Sequence, residues 1–570
     1  MARRTPLARS TRLRIFPLRL LRVSRYAGVV MTKRAAARSS NAIPGETRVA
    51  ERATWLEAAT AKMRRAPAAA HDLIRPRPRT VPDDARVGTV RKILPLIIAG
   101  AFLAAASSGA GAGRSPKAFG DSFVTRAGLR LVVAGRPFRF GGANIEWLGI
   151  AGYGPSDPIG PHFPSHYEVD DAMATAREMG ATVVRSQTMG DSVGCAACIE
   201  PELGQFNEEA FAHIDYALAS ARAHGIKIIP TIVGDDAAEG GTGCVYLRWR
   251  GISQPACSLI NMAPFWTEQA VIGDVEAHIA AVLNHVNVYT HVAYKDDPTI
   301  LGWDLLNGGG SPVPWTREIA SYIRGIDARH LILSGYANAG IHGVDACVSF
   351  VYPHWRMGLA FVRPWIAQCK RKGKPFIAYE YGWDRTNYST LTKFTGFLDT
   401  LRQMPEIAGD GFWALQSHND GHGWMPIPAN TSDPVAALHI ETGQWWALYY
   451  PGIRTLVSTA ADMSARAQAI RRHNYAMSGV RVPAHAIPPA PIVTSVRRGR
   501  VYWQGSAGAK DYSIQRAPSS SGPWKTICRR CVTDVDDGYV AANGAWFRVI
   551  PYNLDEKRGP ASNAMQSSPG

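Results

Sequence analysis

Between residues 138 and 416, eight short apolar runs alternate with longer amphipathic stretches, and this constrains the chain more than any other feature. The runs are 138–144 (FRFGGAN), 182–187 (TVVRSQ), 227–233 (KIIPTIV), 300–307 (ILGWDLLN), 331–336 (LILSGY), 347–352 (CVSFVY), 375–382 (PFIAYEYG) and 411–416 (GFWALQ). Apolar runs this short, bounded by turn residues, read as buried parallel strands. The intervals carry apolar residues at helical spacing, for example over 168–179, 208–224 and 315–326. Eight strand–helix alternations in ~250–350 residues predict a (β/α)8 TIM barrel. An open doubly wound sheet is the competing arrangement, but no Gly-rich phosphate loop follows the first strand. Polar and aromatic residues gather at the strand ends: Asn144, Arg185, Asn307, Tyr352, Glu380 and Trp413. In such a barrel, that is the face that carries chemistry.

A chain of 570 residues exceeds one ordinary domain. The expected division is a basic extension over 1–86, an export signal over 87–112, the barrel over 113–480, a Pro-rich linker over 481–491 and a small β-sandwich over 492–570. The formal charge of +17 suggests nucleic acid at first, but residues 1–92 hold 22 Lys/Arg against 6 Asp/Glu. The remaining 41 basic and 40 acidic residues nearly cancel, so the folded part lacks a nucleic-acid footprint. Arg91-Lys92, the apolar run 93–106 and the small residues Ala110-Gly111-Ala112 read as a secretory signal, which implies a secreted or periplasmic product. Fourteen apolar residues are short of the ~20 a membrane span requires. The Arg/Ala/Pro-rich stretch before this signal has a disordered composition and reads as an over-extended start.

Eight cysteines fit an exported chain with disulfides. Cys195/Cys198 and Cys528/Cys531 are close pairs, while Cys244/Cys257 and Cys347/Cys369 are each placed to close a local loop. The two CxxC pairs lie far apart without histidines at ligand spacing, so zinc is not implied. His418, Asp420 and His422 look like a metal cluster but follow the last barrel strand, where they would rim the mouth of the barrel. No metal or cofactor is expected.

The residues 374–383 (KPFIAYEYGW) end an apolar strand on Glu380, Tyr381 and Gly382. This resembles the strand-seven motif of glycoside hydrolase family 5, of the mannanase-like kind. The resemblance spans roughly residues 120–450 and implies a retaining β-glycosidase, which uses two carboxyl groups about 5–5.5 Å apart. It assigns Glu380 as the nucleophile. The segment 297–310 (DPTILGWDLLNGGG) is similar to the family's strand four, which normally reads Trp-Glu, two residues, then Asn-Glu. Trp303 and Asn307 match, Asp304 stands for Glu, and the acid/base position is Gly308, which cannot carry a proton. By the same resemblance Arg185 keeps the nucleophile ionised, Tyr352 hydrogen-bonds it, and Trp413 floors the −1 sugar site. Phe350 stands where a histidine is usual. Asn144 and Trp147 fall in 137–148 (PFRFGGANIEWL), similar to the family's opening strand, and join the substrate-binding set. Trp249, Trp266, Trp383 and Trp424 are further stacking candidates.

The resemblance implies a monomeric enzyme on β-mannan or a related β-1,4-linked polysaccharide, impaired by loss of the acid/base residue. Asp235, Asp236 or Glu239 could supply a substitute carboxylate. The alternatives are a carbohydrate-binding pseudoenzyme or a secreted adhesion scaffold. The C-terminal segment, with strand-like runs at 500–504, 512–516, 524–527 and 546–551, resembles a fibronectin type III sandwich.

Overall fold

The computed structural model describes residues 122–567, apart from 153–159, 235–241, 253–261, 309, 356, 426–446, 456–457, 498, 533–537 and 541–543. The extension over 1–86, the export signal, Cys257 and the three loop carboxylates Asp235, Asp236 and Glu239 lie outside the described residues.

The described chain opens with an antiparallel sheet of β1 (Val124–Ala127), β2 (Arg130–Val133) and β3 (Arg136–Phe138). Eight parallel strands follow: β4 (Phe140–Asn144), β5 (Val183–Ser186), β6 (Lys227–Pro230), β7 (Gly302–Asp304), β8 (Leu331–Gly335), β9 (Ala346–Phe350), β10 (Phe376–Gly382) and β11 (Ile407–Trp413). They pair in the order β6-β5-β4-β11-β10-β9-β8-β7. Bridges Ile228–Ile300 and Thr231–Asp304 close the ring between β6 and β7. This is the expected TIM barrel.

Side chains alternate along each strand, as the pleat requires. Val183, Ile229, Leu333, Val348 and Ile377 fill the barrel interior. Val184, Ile228, Ile332, Cys347 and Ala378 face the helices. Leu131, Val133 and Phe138 of the first sheet join the interior cluster, so that sheet plugs the end where the strands begin. The opposite, C-terminal end is left for the site.

The helices are α1 (His166–Glu178), α2 (Glu208–Ala223), α3 (Thr242–Trp249), α4 (Gln269–Asn284), α5 (Val313–Ile326), α6 (Leu359–Arg371), α7 (Leu391–Gln403) and α8 (Ala460–Met477). Their starts are legible locally. Ser165 and Glu168 form a reciprocal capping box on α1. The side chains of Asn207, Thr390 and Thr459 cap α2, α7 and α8. Among the described residues, no helix is long and apolar enough to cross a membrane.

The eighth barrel strand begins at Ile407, four residues before the expected start at 411. The reason is Asp410, a fully buried acid in mid-strand whose Oδ2 lies 2.9 Å from His473 Nε2 on α8. A strand whose buried charge is matched from 63 residues away gives no local apolar signal. Beyond the barrel, β12 (Leu415–Gln416) pairs with β13 (Leu448–Tyr449).

The C-terminal part consists of β14 (Ile492–Arg497), β15 (Arg500–Gln504), β16 (Asp511–Ala517), β17 (Lys525–Val532), β18 (Tyr539–Val540), β19 (Trp546–Tyr552) and β20 (Met565–Gln566). They form one sheet in the order β14-β15-β18 and another in the order β17-β16-β19-β20. Val493, Val501, Trp503, Ile514 and Val549 make its core. Disulfides join Cys195–Cys198, Cys347–Cys369 and Cys528–Cys531, as the spacing suggested.

Candidate active site

Five strands deliver polar side chains to the C-terminal mouth of the barrel. Asn144 ends β4, Arg185 stands one residue from the end of β5, Asp304 ends β7, Glu380 lies near the end of β10 and Trp413 ends β11. Arg185 is the hub. Its Nε and Nη2 donate to Asp304 Oδ2 at 3.0 and 2.9 Å. Nη2 also donates to Asn307 Oδ1 at 2.5 Å, and Nη1 to Asn144 Oδ1 at 3.3 Å. The guanidinium lies 4.2 Å above the Tyr379 ring, an attractive placement for a cation. Glu380 Oε1 lies 3.8 Å from Arg185 Nη1.

The expectation that Arg185 chiefly serves the nucleophile is therefore refined, because its shortest contacts run to strand four. Glu380 receives the outer side of a charge already paired elsewhere.

Asn144 is held from behind, its Nδ2 donating to the carbonyls of Tyr379 (2.9 Å) and Phe412 (3.2 Å). Asp304 takes a further hydrogen bond from Thr231 Oγ1 at 3.1 Å. Burial pushes its carboxyl up, and Arg185 offsets only part of this. Burial would lower the guanidinium, but Asp304, Tyr379 and Glu380 more than reverse that. Arg185 therefore remains a cation. Trp303, the other matched strand-four residue, faces away from the mouth and donates its Nε1 to Asp327 Oδ2 at 2.7 Å. Burial opposes the Asp327 charge, but His330 and Trp303 prevail and hold its carboxyl down at about 2.

Gly308 follows Asn307 with φ +78°, a conformation that costs a residue with a side chain roughly 1–2 kcal/mol. The strand-four loop turns where glycine is favoured.

Phe350 pairs directly with Glu380 in the β9–β10 ladder and stacks on Tyr379 at 5.2 Å, which fixes the register of this region. Tyr352, Trp413 and Ala414 form a small cluster of their own above the barrel core, with Phe350 packed against it. Trp147 is as enclosed as Trp413, at 3% and 2% exposure, but it belongs to the main core. Trp383 and Trp424 are likewise core residues, and Trp249 and Trp266 pack partly buried against that core. All five therefore pack in or against the core. His418 and Asp420 also bind within the protein, His418 Nδ1 lying 2.9 Å from Asp171 Oδ2.

Glu146 was not anticipated. It starts a single helical turn (Glu146–Leu148) two residues past β4. Gln416 Nε2 donates to its Oε1 at 3.4 Å, and its Oε2 is buried without a hydrogen-bond partner. Burial raises its carboxyl to about 7. The only sequence signal is a Glu two residues after a strand-ending Asn. It follows strand one, two strands from Glu380, whereas Gly308 follows strand four, three strands away.

Because the neutral form is favoured in the fold, Glu146 costs the protein stability as pH rises from about 4.5 to about 7. Glu146→Gln is expected to be increasingly more stable than the wild type across that window. The advantage should level off above it at no more than about 3 kcal/mol. Urea unfolding at pH 4.5, 6 and 8 measures this, and a difference independent of pH would contradict it.

A closed parallel barrel bearing a carboxylate, an arginine, asparagines and a tryptophan on its C-terminal mouth is the architecture of a barrel glycosidase. The family model for GH family 5 beta-mannosidase-like proteins matches residues 121–362. Mannan endo-1,4-beta-mannosidase 3 of Arabidopsis thaliana is 30% identical over 376 residues, which is 56% of this chain and 86% of that protein. Mannan endo-1,4-beta-mannosidase 4 of Oryza sativa subsp. japonica is 32% identical over 365 residues, 54% of this chain and 76% of that protein. Among solved structures, the endo-1,4-beta-mannanase from Rhizomucor miehei aligns with TM-score 0.48 and 21% identity, covering 63% of this chain and 100% of that one. The chain belongs to the family 5 mannosidase-like glycoside hydrolases.

Proposed function

We propose that the chain is an exported, monomeric member of this family directed at β-1,4-mannan, with retaining chemistry that survives at the nucleophile and is crippled at the acid/base step. The observation that carries this reading is the buried array of Arg185, Asn144, Asp304 and Asn307 beside Glu380, with Gly308 at the next position. A chain retaining only the scaffold has no physical need for such an array. In the proposed reaction a Glu380 oxygen attacks the anomeric carbon, and the bond from that carbon to the leaving oxygen breaks. No group at 308 protonates the departing oxygen, so natural glycosidic bonds break slowly. An aryl group leaves as its phenolate without that help. The glycosyl ester on Glu380 then persists, because no base activates water; lost acid/base help costs roughly 10²–10⁴-fold.

Azide needs no base. It is expected to attack the ester carbon, release Glu380 and accelerate turnover of a dinitrophenyl β-mannoside. The product should be the β-mannosyl azide, with retained configuration. Rapid hydrolysis of mannan without azide would refute the impairment. Tight binding of manno-oligosaccharides with no mass adduct on Glu380 would instead favour a non-catalytic carbohydrate-binding protein. Export is supported by the disulfides among the described residues. The three- and four-stranded sheets at the C-terminus support the reading of a fibronectin type III-like domain.

A further inference from the structure

The residues following Trp413 run through β12 into a hairpin that closes on itself, Asn419 N donating to Gly423 O at 2.9 Å and Met425 N to Ser417 O at 3.0 Å. Its inner side is anchored to the barrel. His418 N donates to Asp171 Oδ2 at 2.9 Å, Asp420 N donates to Glu168 Oε1 at 3.1 Å, and the His418 ring stacks on Trp424 at 3.9 Å.

Its outer side is held by the C-terminal domain. Gln504 Nε2 donates to Asp420 O and Oδ1 at 2.6 and 2.8 Å. Gly423 bridges to Gln504, and the rings of His422 and Tyr502 lie 4.6 Å apart. Tyr167 OH on α1 donates to Gly505 O at 3.1 Å, so the domain is tied to the barrel beside the hairpin as well. Gly505 sits directly on the fully buried His418. A Cβ there would meet His418 Cδ2 at 2.0 Å and Nε2 at 2.3 Å.

We infer that the C-terminal domain is a working wall of the barrel site, with Gly505 and Gln504 as positioning residues that brace the 417–425 hairpin and, through it, the strand-eight side of the sugar cleft. The contacts lie five to ten residues downstream of Trp413, and Gln416 in between also contacts Glu146. A domain acting only as a spacer has no need to close a glycine against a buried histidine. The inference rests on the reading above in one respect, that Trp413 floors the sugar site.

The test uses the full chain. Gly505→Ala is expected to speed amide exchange across 414–425 and to weaken mannohexaose binding roughly ten- to a hundredfold, the scale associated with ångström misplacement in a site. Gln504→Leu, which adds no clash, should act in the same direction with a smaller effect if Gly505→Ala misfolds. Thr526→Ala, on exposed β17, should change neither readout. The pair Gly505→Ala with His418→Asn returns space to the ring site and should recover part of the lost affinity, which a general loss of domain stability would not do. Unchanged exchange over 414–425 in both Gly505→Ala and Gln504→Leu would overturn the inference. If the wild type binds no mannohexaose, the functional reading fails, while the exchange measurement still decides the brace.

Discussion

Gly308→Glu is expected to raise hydrolysis of β-mannan by roughly ten- to a thousandfold and to abolish the acceleration by azide. General acid/base help is worth ~10²–10⁴ in rate. The backbone takes back part of this gain. Gly308 has φ +78°, so a glutamate must either accept a left-handed conformation or flip the turn, at roughly 1–2 kcal/mol. About 1.4 kcal/mol is a factor of ten in population, which sets the lower end of the range. The two readouts should move in opposite directions, because the carboxylic acid at 308 gives its proton to the departing oxygen and the carboxylate left behind repels azide. Reducing-sugar release from mannan and azide dependence on an aryl mannoside measure the pair. A folded variant with neither gain nor loss would mean that Gly308 does not occupy the acid/base position.

The barrel was legible because its strands alternate buried faces, and runs such as Leu331–Gly335 and Phe376–Gly382 are apolar on both faces. The nucleophile candidate was legible for a related reason: a lone Glu closing an apolar strand stands out. What stayed hidden depends on partners distant in sequence. Asp410 is silent until His473 is placed beside it. Arg185 reads as a servant of Glu380 until Asp304, 119 residues on, takes two of its donors. The surroundings of the tryptophans were equally silent. Trp383 is fully buried, and its carbonyl accepts from Arg466 Nη1 at 3.0 Å, so its position after Glu380 in the chain says nothing about where its ring goes. The role of Gly505 is a matter of close approach between domains, which no local pattern encodes. That a glycine follows Asn307 was visible in the sequence, but its left-handed turn was not.

Arg185→Met is expected to cost about 3–5 kcal/mol of stability at pH 7, the range for breaking a buried pair by removing one partner. Asp304 is 0% exposed, and without the guanidinium its charge is left with Thr231 Oγ1 alone among its side-chain donors. Burial already pushes this carboxyl up with Arg185 in place, so removing the cation pushes it further. The sign of the pH dependence follows. A carboxyl raised in the folded state binds its proton more tightly there than in the unfolded chain, so the variant loses stability as pH rises above the ordinary aspartate range. The deficit against wild type should therefore be small near pH 4 and grow toward pH 7. Asp304→Asn in the Arg185→Met background removes the stranded charge and should recover most of the loss, a coupling that distant, independent sites do not show. It should not restore the azide-dependent turnover, because Glu380 still lacks its counter-charge at 3.8 Å. Denaturant unfolding of the wild type, both single variants and the double variant at pH 4, 5.5 and 7 closes the cycle. Additive effects would place Arg185 and Asp304 in separate roles. Coupling together with a lasting loss of chemistry would make the strand-two arginine the joint that ties Glu380 to strand four.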